Sequence, residues 1–154
     1  MTMRKNGKAA SVWMWQQAKQ GNTGFAGWCL RTCRKAWDLS SNDPSAIKEW
    51  NSIPADMKVY DKWWLAPVGA PHFWAGGKFG HVAIQSGIKG FVWSTDAPVN
   101  DKVGKVTIGW FKKHWGYTYL GWSKEFQNKV LPTVVEKPVA KKTAKVPVKK
   151  VVKK

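Results

Sequence analysis

The sequence predicts a single α+β domain in which N-terminal helices pack on an antiparallel β-sheet. Residues up to about 51 follow a helical hydrophobic period, and the segment after Pro67 consists of short apolar runs separated by glycine-containing turns. The composition changes abruptly near Pro132. A chain of 154 residues with 44% hydrophobic residues and twelve tryptophans is sufficient for one core, which excludes a disordered protein.

The first two predicted helices are separated by a loop rich in Gly, Asn and Thr. Residues 9–19 form the first helix, residues 21–27 form the loop, and the second helix begins near Trp28. The second helix has a predicted buried stripe that contains Leu30, Cys33 and Trp37. This assignment places Cys29 in the first turn of that helix.

The third helix is predicted at residues 45–51, with Asp43 as its N-cap and Pro44 at its first position. Phe111 and Trp115, four residues apart, predict a short helix late in the chain. Five strands are predicted at residues 70–74, 81–85, 91–95, 105–108 and 117–122.

The chain is strongly basic along its whole length. Lys and Arg number 26 against 9 acidic residues, for a net charge of +17 and a pI near 10.1. Such a balance indicates a polyanionic partner, and nucleic acid, anionic lipid and anionic wall polymers all qualify. Residues 132–154 contain eight lysines and one glutamate, which gives this segment +7 and leaves +10 on residues 1–131.

Residues 132–154 are interpreted as a flexible basic tail on a folded domain that spans residues 1–131. A lysine-rich segment binds polyanions by counterion release without needing a fold. Its target would be one of the polyanions named above, and the alternative is a solvated tail without a specific partner.

The two cysteines and the N-terminal residues argue against a disulfide, a metal site, a signal peptide and a membrane span. Cys29 and Cys33 lie four residues apart on one predicted helix, a geometry that does not suit a disulfide. No histidine stands at zinc-motif spacing from them. We therefore expect no disulfide, no metal and no other cofactor. The apolar stretch from residue 12 to 15 is too short for a signal peptide or a membrane span.

Cys29 is the candidate nucleophile. A helix N-terminus with nearby cations stabilises a thiolate and lowers the pKa of the thiol, and Arg31 and Arg34 supply the cations. The backbone N–H groups after the glycine-bearing loop are suited to hold an oxyanion. A cysteine alone in such a helix is more often an ordinary buried residue, so the assignment depends on a partner base.

His81 is that candidate base. It follows Gly80 at the start of an otherwise apolar strand, from which an imidazole can project toward the helix terminus. His72 and His114 are weaker candidates. Asp96, at the end of the next strand, is the candidate group that orients the imidazole, with Ser94 and Thr95 as substitutes. Asp96 is otherwise an ordinary turn residue before Ala97-Pro98.

At these residues the sequence resembles the CHAP and NlpC-type cysteine peptidases, which are papain-like enzymes common as phage endolysins and bacterial wall hydrolases. The resemblance covers residues 24–123. It includes Gly27-Trp28-Cys29 opening a helix, the Gly80-His81-Val82-Ala83-Ile84 strand, the Ser94-Thr95-Asp96 ending, the segment at 67–74, and Trp115-Gly116 with Tyr119-Leu120-Gly121-Trp122.

The resemblance implies a papain-like fold and cleavage of a peptidoglycan amide bond through an acyl-enzyme, without a metal. A wall-directed enzyme without a signal peptide would stay in the host cytoplasm until lysis or travel in a virion, and its lysine-rich tail would bind anionic wall polymers or the bacterial surface. Cys29 would attack, His81 would take and return the proton, and Asp96 would orient the imidazole. The sequence departs from the family in one respect, because the Gln or Tyr that precedes the cysteine in these families is not clearly placed. Gln17, Asn22 and the backbone of Trp28 and Cys29 are its possible replacements.

The tryptophans leave a second class of function open. Several of them are candidates to line a groove for sugar rings or stem peptides, and the alternative is ordinary packing: Trp63, Trp64, Trp74, Trp110 and Trp115. The same mixture of tryptophan and lysine suits single-stranded nucleic acid. The rival hypotheses are therefore a nucleic-acid-binding or packaging protein, or a virion structural subunit, that keeps the fold without the chemistry.

Overall fold

The computed structural model describes residues 6–132 and confirms an α+β domain with an antiparallel sheet. Its four α-helices are α1 (Gly7–Gln20), α2 (Cys29–Trp37), α3 (Ala46–Ser52) and α4 (Trp110–Trp115), and two short 3-10 helices lie at Ala55–Met57 and Trp63–Leu65. Its strands are β1 (Lys58–Tyr60), β2 (Pro71–Ala75), β3 (His81–Gln85), β4 (Phe91–Thr95), β5 (Val103–Thr107), β6 (Thr118–Ser123), β7 (Glu125–Phe126) and β8 (Lys129–Val130).

The main sheet has six strands in the order β1-β6-β2-β3-β4-β5, and β7 and β8 form a separate hairpin. Strand β3 lies near the middle, with β2 and β4 as antiparallel neighbours. The alternation of β3 sends Val82 and Ile84 into one core cluster and Ala83 into another on the opposite face. Both faces of β3 are therefore covered, which fixes the position of its first residue, His81.

The first core cluster lies between the sheet and the N-terminal helices. In α2 the predicted stripe is confirmed, because Leu30, Cys33 and Trp37 are all buried. In α1, Gly7 lies against the β2 side of the domain, where a Cβ would stand 1.7 Å from the carbonyl oxygen of Val68. Only glycine allows this contact, so the start of α1 is held close to the segment that leads into β2.

The second core cluster lies on the other face of the sheet under α4. Trp74 and Phe111 pack with a centroid separation of 4.4 Å, and both are fully buried. The short helix predicted from Phe111 and Trp115 is confirmed. It covers the strand end at which His81 lies, because both of these rings contact the imidazole.

Three details of the sequence interpretation were wrong. Ser45, not Asp43, caps α3, because the Ser45 hydroxyl accepts the N–H of Lys48. The strands β1, β7 and β8 were not predicted, since each has only two or three residues and forms through pairing rather than through its own pattern. Strand β5 begins at Val103, two residues before the predicted start.

Two other predictions concern the basic tail and the absence of a membrane span. Almost all of the predicted basic tail, from residue 133 onward, lies outside the described residues, as do residues 1–5. Within residues 6–132, no helix has the length and apolar character needed to cross a membrane.

Candidate active site

Cys29 is the first residue of α2, as the sequence predicted. The preceding loop makes two turns with positive φ, at Gly24 (96°) and Gly27 (75°), which let the chain enter the helix directly at the cysteine. The residue as a whole is half-buried, but its thiol lies beside the backbone N–H of Val82 in β3. Cys29 is therefore held against the strand that begins with His81.

His81 is buried, with 4% of its surface exposed, among aromatic rings of β2 and α4. Its ring centroid lies 4.9 Å from Phe111, 5.1 Å from Trp115 and 5.9 Å from Trp74. Such a cage leaves the imidazole little freedom to rotate. Its position along the sheet is set by β3 and its ring plane by the aromatic neighbours.

The hydrogen bonds of Ser94 define the tautomer of His81. Nε2 of His81 lies 2.8 Å from Oγ of Ser94, and that hydroxyl donates its hydrogen to the carbonyl oxygen of Thr95 at 2.8 Å. Since its single hydrogen is already used, the hydroxyl accepts from Nε2. The neutral imidazole thus carries its proton on Nε2, and Nδ1 is left as the proton acceptor.

Asp96 does not bind the imidazole in this structure, so the prediction that it orients His81 is not supported by the geometry. Its Oδ2 accepts the N–H of Gly27 at 3.1 Å, and its Oδ1 accepts the N–H of Asp101 at 2.7 Å. Strand β4 ends at Thr95, and Asp96 takes a positive φ of 61° that turns its side chain toward the loop before Cys29. Ser94, one of the two substitutes, contacts the ring instead.

Cys29 and His81 both line one cavity of about 580 Å³, which we call the site cavity. Its wall also contains Asp96, Trp110, Trp115 and Tyr117. Of the tryptophans expected to form a groove, Trp110 and Trp115 therefore do so. Trp74 is buried in the core, and Trp63 and Trp64 pack against each other and do not line this cavity.

The expected lowering of the thiol pKa was wrong. Burial raises the pKa of Cys29 to about 11, and the nearby Asp96 carboxylate raises it further. Backbone N–H groups of Val82, Leu30 and Cys29 oppose this shift but do not outweigh it. Burial also lowers the pKa of His81 to about 3, so the resting pair at neutral pH is an uncharged thiol and an uncharged imidazole.

The two arginines do not act on the thiol as predicted. Arg31 lies over the indole of Trp28, with its guanidinium 5.0 Å from the ring centroid. Arg34 donates to the carbonyl oxygen of Leu39 at the end of its own helix. Neither contributes to the pKa shift of Cys29, which explains why desolvation dominates.

The two other histidines have different surroundings. His72 is fully buried and engages both ring nitrogens, with Nδ1 2.7 Å from the Tyr119 hydroxyl and Nε2 2.7 Å from Oε1 of Gln85. His114 is exposed and stacks on Trp110. Neither lines the site cavity, in agreement with their rank as weaker candidates.

The groups available to an oxyanion are backbone groups. Gln17 and Asn22 bond to each other and line a different cavity, so the suggestion that they replace the missing side chain was wrong. The N–H of Trp28 is also engaged, since it donates to Phe25. Cys29 and Leu30 occupy the first two positions of α2, whose N–H groups have no acceptor within the helix.

Within residues 6–132 no group of three or more His, Cys, Asp or Glu side chains is arranged to hold a metal ion. Comparisons with protein-family models, with curated proteins and with solved structures give no match to this chain. The chemistry of the site must therefore be argued from its own geometry.

Proposed function

We propose that this protein hydrolyses an amide bond of bacterial peptidoglycan through a covalent intermediate on Cys29. The observation that carries the proposal is the shared cavity of Cys29 and His81, in which Ser94 holds the imidazole with Nδ1 as proton acceptor. A thiol, a base beside it and a third group that fixes the base are the parts that nucleophilic amide cleavage requires.

The uncharged resting pair points to general-base activation rather than to a preformed ion pair. As the sulfur of Cys29 attacks the carbonyl carbon, its proton passes to Nδ1 of His81, and the negative charge moves to the carbonyl oxygen. The proposed donors to that oxygen are the N–H groups of Cys29 and Leu30, which lie at the start of α2.

The second half of the reaction reverses the proton transfer. His81 gives its proton to the leaving amine as the carbon–nitrogen bond breaks, which leaves a thioester on Cys29. Water then attacks the thioester, His81 accepts a proton from the water, and the sulfur leaves and recovers a proton. The carboxylate product and the free thiol complete the cycle.

Peptidoglycan is the proposed substrate for three reasons. The ordered motifs resemble wall-degrading cysteine peptidases, the net charge of +17 suits an anionic envelope, and aromatic side chains line the site cavity. We further propose that the lysine-rich residues 132–154 increase retention on anionic wall polymers, and that the protein acts as a phage lysin released at lysis or carried in a virion.

The test is release of soluble fragments from purified cell walls, followed by mass analysis of the new ends. Wild type and Cys33→Ala should release the same fragments, whereas Cys29→Ala should release none. Cys33 is a matched control because it lies one turn deeper in the same helix and is buried away from the site cavity. Fragment release by Cys29→Ala, or none by the wild type, would contradict the proposal.

The net charge favours one second candidate, a basic nucleic-acid-binding protein without catalysis. This candidate predicts DNA binding that weakens steeply with salt and is unchanged in Cys29→Ala. The wall assay and a salt titration of DNA binding on the same preparations therefore separate the two functions.

A further inference from the structure

A second concave surface lies beside the candidate active site, between α1 and the start of α2. It has a volume of about 510 Å³, and we call it the Trp28 cavity. Three aromatic side chains line it: Trp13, Phe25 and Trp28. Large aromatic surface in a concave site is typical of small-ligand binding rather than of an ordinary surface.

The Trp28 cavity adjoins the active site through a third cavity of about 250 Å³, the middle cavity. Trp28 and Arg31 line both the Trp28 cavity and the middle cavity. Cys29 and Phe79 line both the middle cavity and the site cavity. The three cavities therefore form a row that passes Cys29, so a substrate that extends along the row would fill the Trp28 cavity while its amide lies at Cys29.

Trp28 is the most accessible of the three aromatic residues that line the Trp28 cavity. Its side chain is 51% exposed, although its backbone is fixed by the hydrogen bond from its N–H to Phe25 and by its position as the residue before α2. Its side chain makes no capping hydrogen bond for the helix. The backbone of Trp28 is thus fixed while half of the residue stays accessible, and an accessible tryptophan on a fixed backbone suits a binding site.

Polar groups stand around the aromatic surface. Asn22 donates through Nδ2 to Oε1 of Gln17 at 2.8 Å, which fixes both amides at the edge of the cavity. This bond leaves the N–H groups of Gln17 and the carbonyl oxygen of Asn22 to bind hydroxyl groups. Arg31, over the Trp28 ring, adds a cation that suits a carboxylate on the same ligand.

We infer that the Trp28 cavity binds a pyranose ring of the wall glycan next to the cleaved amide. A pyranose presents an apolar C–H face that packs on an indole, and hydroxyl and acetamido groups at its edge that pair with amides. The identity of the glycan rests on the proposed wall hydrolysis. The inference deepens it, because the enzyme would then prefer stem peptides that are still attached to glycan over free peptides.

The matched control for this site is Trp15. Its side chain is 46% exposed, and Lys19 lies over its ring at 4.8 Å as Arg31 lies over Trp28. Trp15 lines neither the Trp28 cavity nor the middle cavity. Replacement of either tryptophan by alanine removes the same exposed indole beside a cation, so general loss of aromatic surface affects both equally.

Calorimetric binding of a β-1,4-linked N-acetylglucosamine tetramer and of peptide-free glycan strands tests the inference, with the full-length Cys29→Ala protein as background. The Trp28→Ala variant should bind at least about tenfold more weakly than Trp15→Ala, the effect of a central aromatic contact. Arg31→Ala should weaken binding of the glycan strands more than Lys19→Ala does, and it provides a second comparison if Trp28→Ala does not fold.

Equal affinities of the Trp28 and Trp15 variants, or absence of saccharide binding by the unsubstituted background, would overturn the inference. Loss of oligothymidine binding in Trp28→Ala without any saccharide binding would also overturn it, in favour of a nucleic-acid site. The binding assay needs no turnover. Failure of wall hydrolysis with intact saccharide binding, or the reverse, therefore shows which of the two proposals has failed.

Discussion

Two buried histidines on neighbouring strands of this sheet differ in what their rings can do. His72 in β2 and His81 in β3 are almost completely buried, and burial lowers the pKa of both, to about 4 for His72 and about 3 for His81. His72 has hydrogen-bond partners on both nitrogens, whereas the Ser94 bond of His81 occupies Nε2 alone. Burial and the direction of the pKa shift therefore do not distinguish the two histidines, whereas two other features do: His81 lines the site cavity, and its Nδ1 lies outside the Ser94 bond.

The largest expected difference between the two histidines is in wall hydrolysis. His81→Asn should lower the rate of fragment release by at least about a thousandfold, because it removes the imidazole that takes the thiol proton. His72→Asn should retain activity per folded molecule. The test measures fragment-release rates and divides them by the amount of folded protein, which circular dichroism gives. Equal losses of activity in both variants would contradict the different roles of His81 and His72.

Cys29 and Cys33 give the same comparison for the thiols. Cys29 lines the site cavity, whereas Cys33 is buried and donates to the carbonyl oxygen of Val82. Iodoacetamide should modify only Cys29 in the folded protein. Because burial raises its pKa to about 11, the rate should rise about tenfold per pH unit from pH 7 to 10.

Peptide mapping of the alkylated protein identifies the modified residue. A rate for Cys29 that is independent of pH between 5 and 8 would mean a preformed thiolate and imidazolium, and it would contradict the uncharged pair. Alkylation of Cys33 is expected only after unfolding in denaturant.

Ser94 should have a moderate effect on catalysis. Ser94→Ala removes the bond to Nε2 of His81, and we expect kcat to fall about tenfold, the equivalent of one hydrogen bond of about 1.4 kcal/mol. Asp96→Ala instead removes the bonds to Gly27 and Asp101 and should lower stability through the loop before Cys29. Steady-state kinetics and thermal melts of both variants separate these effects, and a larger kcat loss at unchanged fold for Asp96→Ala would restore its predicted role.

An expected effect on folding rather than on catalysis concerns the dependence of stability on pH. The pKa of His72 is lowered to about 4 from an ordinary value of 6.5, so the unfolded state binds the extra proton first. Its presence therefore costs stability progressively as the pH falls from 6.5 toward 4. Urea unfolding at pH 7 and pH 4.5 should show a smaller acid loss for His72→Asn than for the wild type, and an unchanged loss would refute the assignment.

The sequence predicted the parts of the site that depend on local pattern. Strands β3 and β4 occupy the predicted residues because their apolar runs are bounded by glycine-containing turns, and α2 begins one residue from its predicted start because its stripe is helical in period. The positions of Cys29 and His81 follow directly from these elements. Their meeting in one cavity follows from the packing of α2 on β3, which an amphipathic pattern favours.

The features that were missed depend on tertiary surroundings. Asp43 and Ser45 are both capping residues, and only the observed bond to Lys48 decides between them. Ser94 rather than Asp96 contacts the His81 ring because Asp96, just after β4, has a positive φ that turns its side chain away from the imidazole. The sign of the thiol pKa shift depends on how much protein surrounds the sulfur, which a helix-terminus argument cannot supply.

The most direct test of the central claim, that Nδ1 of His81 is left to take a proton from Cys29, is ¹⁵N NMR of the histidine rings at pH 7. We predict that His81 is neutral with its proton on Nε2, and that alkylation of Cys29 shifts the ring nitrogens of His81 while leaving those of His72 unchanged. An imidazolium at pH 7, a proton on Nδ1, or a His81 signal that does not respond to modification of Cys29 would contradict the account.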